Sequence, residues 1–185
     1  MKLKVALGIF IVGLVMFSWV QFSYLPKMEA ADKQEQLAQL EPETHNFSRV
    51  LEYESPYMGS AGNNLNLIYG LPMSDIPRTF QQDPEQFKFT VHYEKSIEDI
   101  GVKRVEKAIL YNSTAIFALI KNMEIVEFTF PDETYAVTRE RVNHWFAEDI
   151  STFNDEEIFK RKVQQPIIEK NRLQEWFAIY TKGGI

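Results

Sequence analysis

The sequence predicts an α+β domain, a small β-sheet packed by several helices, preceded by a single N-terminal transmembrane helix. Three observations predict it. From Lys103 onward, Val105, Ala108, Ile109, Ala115, Ile116, Leu119 and Ile120 recur at three- and four-residue steps, the spacing of one helix face. Past Asn122 the period changes, and Val126, Phe128 and Phe130 alternate with Glu127 and Thr129, just as Phe87, Phe89, Val91 and Tyr93 alternate with Lys88, Thr90 and His92. That alternation marks half-buried strands. Finally, VALGIFIVGLVMFSWVQFSYL, from Val5 to Leu25, contains no charged residue.

As a helix this last run spans about 30 Å, the thickness of a bilayer core. Trp19 and Tyr24 near its far end suit the interfacial zone, where an apolar ring with a polar edge is favoured. A cleaved signal peptide is the alternative, but its apolar region is typically only about 7 to 15 residues long. We therefore expect a signal anchor within residues 1–25. Lys2 and Lys4 lie close to the helix, and Lys27 and Lys33 lie beyond it. The nearer pair and the free amine favour an N-inside orientation, which leaves the C-terminal domain extracytoplasmic and the protein in the cell membrane.

Residues 26–46 are rich in Glu, Gln, Ala and Lys without a wide apolar face. They read as a solvated, partly helical stalk that contains His45. The extracytoplasmic domain is expected over 47–185. It opens on an apolar segment, Phe47 to Tyr57, of unassigned state. Leu65, Leu67, Ile68 and Leu71 then suggest a short helix stopped by Gly70 and Pro72, and Pro72, Pro77 and Pro84 punctuate a loop.

After the strand at Phe87–Tyr93 comes the long helix, a turn at Asn122 and the strand at Ile125–Phe130. This order permits a parallel crossover. Tyr135–Val137 reads as a short third strand, and Thr138 as the N-cap of a helix carrying Val142, Trp145 and Phe146 on one stripe. Asn154 is the expected N-cap of a further helix that Pro166 ends or kinks. Leu173, Trp176, Phe177 and Tyr180 then repeat at helical spacing up to Gly183-Gly184, which predicts a C-terminal helix docked on the sheet or on the central helix.

Tyr57-Met58-Gly59, Asn63 to Leu71-Pro72, FTVHY, AIFALIKNMEIVEFTF from Ala115 to Phe130, and VTRERVNHWF together resemble a bacterial family known as a domain of unknown function, number 4825. The resemblance covers roughly residues 51–165 and is most specific at Phe117 to Asn122. It implies an exported or membrane-anchored protein with a membrane protein partner such as a sensor or regulator. Many members carry a lipid-attachment cysteine, and this chain has an apolar helix instead. The family supplies no catalytic or binding residue to carry over.

With Lys2 and Lys4 set aside, 18 of the 20 Lys and Arg face all 26 Asp and Glu beyond residue 25, a formal charge of −8. Nucleic acid is thereby a poor partner, because its non-specific binding draws on basic phosphate contacts. The absence of cysteine excludes disulfides, thiol catalysis and thiolate metal sites.

Glu140, His144 and Glu148 fall at four-residue steps and could offer metal ligands, but such a row is more often a solvated helix face. Glu156-Glu157 fits a helix start better than an acid/base pair. No Gly-x-Ser-x-Gly elbow frames a nucleophile. No catalytic residue, cofactor or metal is expected, and the protein is not expected to be an enzyme. Tyr57, Asn63 and Asn122 border turns and could line a partner or ligand surface, against ordinary roles in ring packing, N-capping and C-capping. The expectation is a non-enzymatic interaction or envelope-sensing domain. A small-molecule binding module is the alternative, ahead of an envelope-acting enzyme with an acidic site.

Overall fold

The computed structural model describes residues 2–168 and 173–177 and divides into two compact units, 1–38 and 39–185. In the first, α1 (Lys2–Trp19) runs through a wider π-helical turn at Val20–Tyr24 into α2 (Leu25–Ala38). The run Phe10–Ala38 is long and apolar enough to cross a membrane, and the same length and composition fit a signal sequence. Its large side chains, among them Phe10, Met16 and Phe22, are exposed.

The second unit is α+β, as expected. A 3₁₀ turn at Phe47–Tyr53, capped by the Asn46 side chain on the Ser48 amide, leads to α3 (Ala61–Gly70). Then follow β1 (Arg78–Asp83), β2 (Lys88–Tyr93), α4 (Ile97–Ile100), α5 (Val102–Leu119), β3 (Ile125–Thr129), β4 (Thr134–Thr138), α6 (Arg139–Phe146) and α7 (Glu156–Phe159). The sheet order is β1-β2-β3-β4. β2 and β3 pair in parallel through the α4–α5 crossover, and the outer pairs are antiparallel.

The register explains the core. Phe80, Val91, Phe128 and Tyr135 form one cross-strand row, and Phe89, Val126 and Val137 form the next. Both rows join Ile109, Ile116, Phe117 and Leu119 of α5 in a single apolar cluster. The opposite row is polar, with Thr79, His92, Thr129 and Thr134 side by side. Asn112, Ser113 and Thr114 are buried inside α5; Asn112 Nδ2 donates to the Pro72 carbonyl and Ser113 Oγ to that of Ile109.

The structure departs from the sequence reading at four places. Residues 78–83, expected as loop, form the edge strand β1; an edge needs only one paired side, so a sequence with Phe80 as its one large apolar residue still joins the sheet. Phe87 lies outside β2, in a left-handed conformation (φ 49°), and is exposed rather than inward. The N-cap of α7 is Asp155, whose side chain accepts from the Ile158 amide, while Asn154 donates to Glu54. The compact unit begins at Gln39 rather than Phe47, because His45 is buried and the residues before it bond back into the domain. The expected cap at Thr138 is present, accepting from the Arg141 amide. Residues 173–177 are helical with Leu173, Trp176 and Phe177 buried and Phe177 against the Tyr135 ring, whereas Tyr180 and Gly183-Gly184 lie outside the described residues.

Candidate functional site

Tyr57, Asn63 and Asn122 meet around one strap, residues 53–58. The strap lies along the C-terminal end of α5 as a one-residue parallel bridge, with the Ser55 amide donating to the Leu119 carbonyl (2.9 Å) and the Lys121 amide to the Ser55 carbonyl (3.0 Å). Asn122 Oδ1 accepts from the Met58 amide at 2.8 Å, so this side chain holds the strap instead of capping α5. Asn63 Nδ2 donates to the Tyr53 carbonyl at 2.7 Å, and Asn64 Nδ2 to that of Met58 at 2.6 Å. Asn63 therefore does not N-cap α3.

With the backbone so fixed, Tyr57 is left 69% exposed. It is not a core residue, in contrast to a packed ring. Beside Tyr57, Ser55 Oγ donates to the Tyr57 carbonyl (2.7 Å) and stiffens the turn. At the strap's other end Glu54 accepts from Lys121 Nζ and Asn154 Nδ2, both at 2.9 Å. Burial opposes ionisation of Glu54, but these two bonds outweigh it and hold its carboxyl below the usual range. The amide side chains around the strap are thus committed to holding its backbone, and the Glu54 carboxylate to Lys121 and Asn154. What faces solvent is an aromatic ring on a rigid mount, an arrangement suited to recognition.

A second polar cluster escaped sequence reasoning. His45 is 3% exposed. Its Nε2 donates to the Gly70 carbonyl at 2.8 Å and its Nδ1 accepts from the Tyr111 hydroxyl at 2.7 Å. A carbonyl only accepts, which places the ring proton on Nε2. Burial, against the help of the Gly70 carbonyl and together with Arg49, lowers the imidazole to about 4. Burial likewise pushes the Tyr111 hydroxyl up. A polar groove of about 280 Å³ adjoins this cluster, lined by Glu43, Asn46, Glu156, Lys160 and Gln164 among others. The only sequence signal was a histidine next to a helix-capping Asn46, too weak to separate buried from solvated.

The row Glu140, His144 and Glu148 does not survive as one helix face. α6 ends at Phe146 and Ala147 turns left-handed (φ 52°), which carries Glu148 away to pair with Lys162. Among the described residues no group of three or more His, Asp or Glu could hold a metal ion. Glu156 and Glu157 occupy the first turn of α7, where their charge meets the helix dipole. His92 sits mid-sheet on the polar row opposite Thr79 and Thr129.

The sequence model of the domain of unknown function DUF4825 matches residues 50–140, from the first 3₁₀ turn through the whole sheet to the start of α6. No curated protein and no solved structure matches the chain.

Proposed function

We propose, for a chain whose residues 50–140 carry this domain of unknown function, that it is a single-pass membrane protein whose domain works outside the cytoplasm by binding a protein partner. The observation that carries the reading is the helix Phe10–Ala38, whose large apolar side chains lie outside any protein core and match a bilayer. Tyr57 on its fixed strap is the contact we assign to the partner. Binding rather than catalysis is assigned because the polar side chains around Tyr57 serve backbone carbonyls and amides.

The test places a photo-crosslinking residue at position 57 in cells and probes the domain with external protease. Protection of the domain from protease in intact spheroplasts would overturn the topology. Absence of any adduct at position 57 beyond those of a control position on α6 would overturn the partner surface. A second reading, a small-molecule binding module, is favoured only by the polar groove beside His45. A thermal-shift screen tests it, and a compound that raises the midpoint for the wild type but not for Lys160→Ala would support it.

A further inference from the structure

Residues 39–46 follow the apolar helix in sequence and are fastened to the domain by a short, dense set of bonds. Leu40 gives its carbonyl to the Met73 amide (3.0 Å). Glu41 pairs with Arg104 (2.8 Å) and Glu43 with Lys107, both on α5. His45 bonds Tyr111 of α5 and the Gly70 carbonyl at the end of α3. From the far end of the chain Gln164 Nε2 donates to the carbonyls of Pro42 (2.9 Å) and His45 (2.7 Å).

We propose that residues 39–46 are an acid-released clasp: His45 fastens them at neutral pH, and protonation of His45 in mildly acidic medium opens them while the sheet and α5 stay folded. The geometry leaves His45 one place for a second proton. Nε2 already carries one toward Gly70, so the second goes to Nδ1, and there it replaces an acceptor with a donor facing the Tyr111 hydroxyl. The new charge would sit in a side chain 3% exposed.

Among the groups facing it the Gly70 carbonyl favours that charge, but burial outweighs this help. Arg49, on the adjoining 3₁₀ turn, repels it, and Tyr111 on α5 stays neutral. Glu43, Glu156 and Lys160 line the neighbouring groove, with Glu43 paired to Lys107. Exposing the ring relieves the charge, and the least disruptive exposure is of the segment that carries it. That segment adds no rung to the sheet ladders and no residue to α5, which it touches through the side chains of Glu41, Glu43 and His45. The imidazole's shift from 6.5 to about 4 corresponds to a roughly 30-fold larger opening constant at pH 5 than at pH 7.5. This inference does not depend on the partner proposed above.

Hydrogen–deuterium exchange on the full chain in detergent micelles tests it, with rates corrected for intrinsic pH dependence. Amides of residues 40–47, Pro42 having none, are expected to lose protection by that factor between pH 7.5 and pH 5, while those of β2, β3 and α5 keep theirs. In His45→Gln, whose amide offers one donor and one acceptor without titrating, the clasp should stay equally protected at both pH values. If that variant folds with the clasp already open, the titration of His45 itself, followed by NMR in the wild type, decides: the clasp amides must open along the same curve. Unchanged protection of 40–47 at pH 5, loss in step with β2 and β3, or a wild-type acid response in a folded, closed His45→Gln would each overturn the proposal.

Discussion

The Arg139 guanidinium lies 5.3 Å from the Phe117 ring centroid, and its Nη2 donates to the Phe117 carbonyl at 2.9 Å. The same nitrogen reaches the Ile120 carbonyl (2.7 Å), and Nε reaches that of Met123 (2.7 Å). Phe117 and Ile120 lie at the end and C-cap of α5 and Met123 in the turn after it, so a buried cation from the first residue of α6 ties the helix end to its turn where the helix dipole is negative. Arg139→Leu should destabilise the domain by about 2–4 kcal/mol, since three buried hydrogen bonds to carbonyls are lost. Arg139→Lys should recover part of this, because an ammonium reaches fewer of them. Urea midpoints check both, and an Arg139→Leu midpoint equal to wild type would refute the capping role.

Tyr111 gives a cleaner local probe. Tyr111→Phe keeps the ring against His45 and Phe159 but removes the hydroxyl that Nδ1 accepts. The loss should be about 1–2 kcal/mol in chemical denaturation at pH 7.5.

The pH dependence of stability has a definite sign. His45 binds its proton less readily folded, at about 4, than unfolded, at 6.5. Between those values the unfolded chain holds more protons, so stability rises with pH; the contribution is complete above about 6.5 and lost as pH falls toward 4. It amounts to about 3 kcal/mol if the clasp stays closed throughout. Denaturation curves from pH 8 to pH 4 should show this slope, and His45→Gln should flatten it.

Gly70 sits where α3 meets the first 3₁₀ turn. A Cβ there would come within 2.8 Å of Val50 Cγ1, and Val50 is fully buried. Gly70→Ala should cost about 1–3 kcal/mol by overpacking. Adding Val50→Ala should give back part of that cost, so the pair should be less than additive in thermal melts.

The strap predicts a separation of effects. Asn122→Ala removes the acceptor of the Met58 amide and should speed exchange at that amide with a stability loss of about 1 kcal/mol. Tyr57→Ala, which alters an exposed ring, should leave stability within about 0.5 kcal/mol of wild type. A large melting shift in Tyr57→Ala would show that the ring packs after all.

Where the domain begins is open to direct measurement. A chain truncated to start at Gln39 keeps the bonds of Leu40, Glu41, Glu43 and His45, and one starting at Phe47 loses all of them. The shorter chain should be less stable by about 2–4 kcal/mol. Equal urea midpoints would return the boundary to Phe47.

The elements legible in the sequence were those whose side chains face one apolar core. The Lys103–Leu119 periodicity, the alternations at Phe89–Tyr93 and Val126–Phe128, and the cap at Thr138 all carry their geometry in local spacing. β1 did not, because an edge strand between Pro77 and Pro84 is recruited by the backbone of β2 and not by its own apolar pattern. Asn63 and Asn122 were read as bordering turns; Asn122 lies in one and Asn63 in the first turn of α3, and their partners, the Tyr53 carbonyl and the Met58 amide, lie elsewhere in the chain.

The sequence by itself determined an apolar N-terminal helix, an α+β domain and a resemblance that the family match over 50–140 bears out. Each follows from composition or from period, which a linear string records. Tertiary structure alone decided that His45 is buried rather than solvated, that Arg78 and Arg139 turn inward to helix carbonyls, and that Tyr57 stands exposed. These depend on which distant backbone groups arrive beside a polar side chain. A buried polar group is tolerated only where its hydrogen-bond partners are supplied, and the partners of His45, Tyr111 and Gly70, lie 66 and 25 residues away.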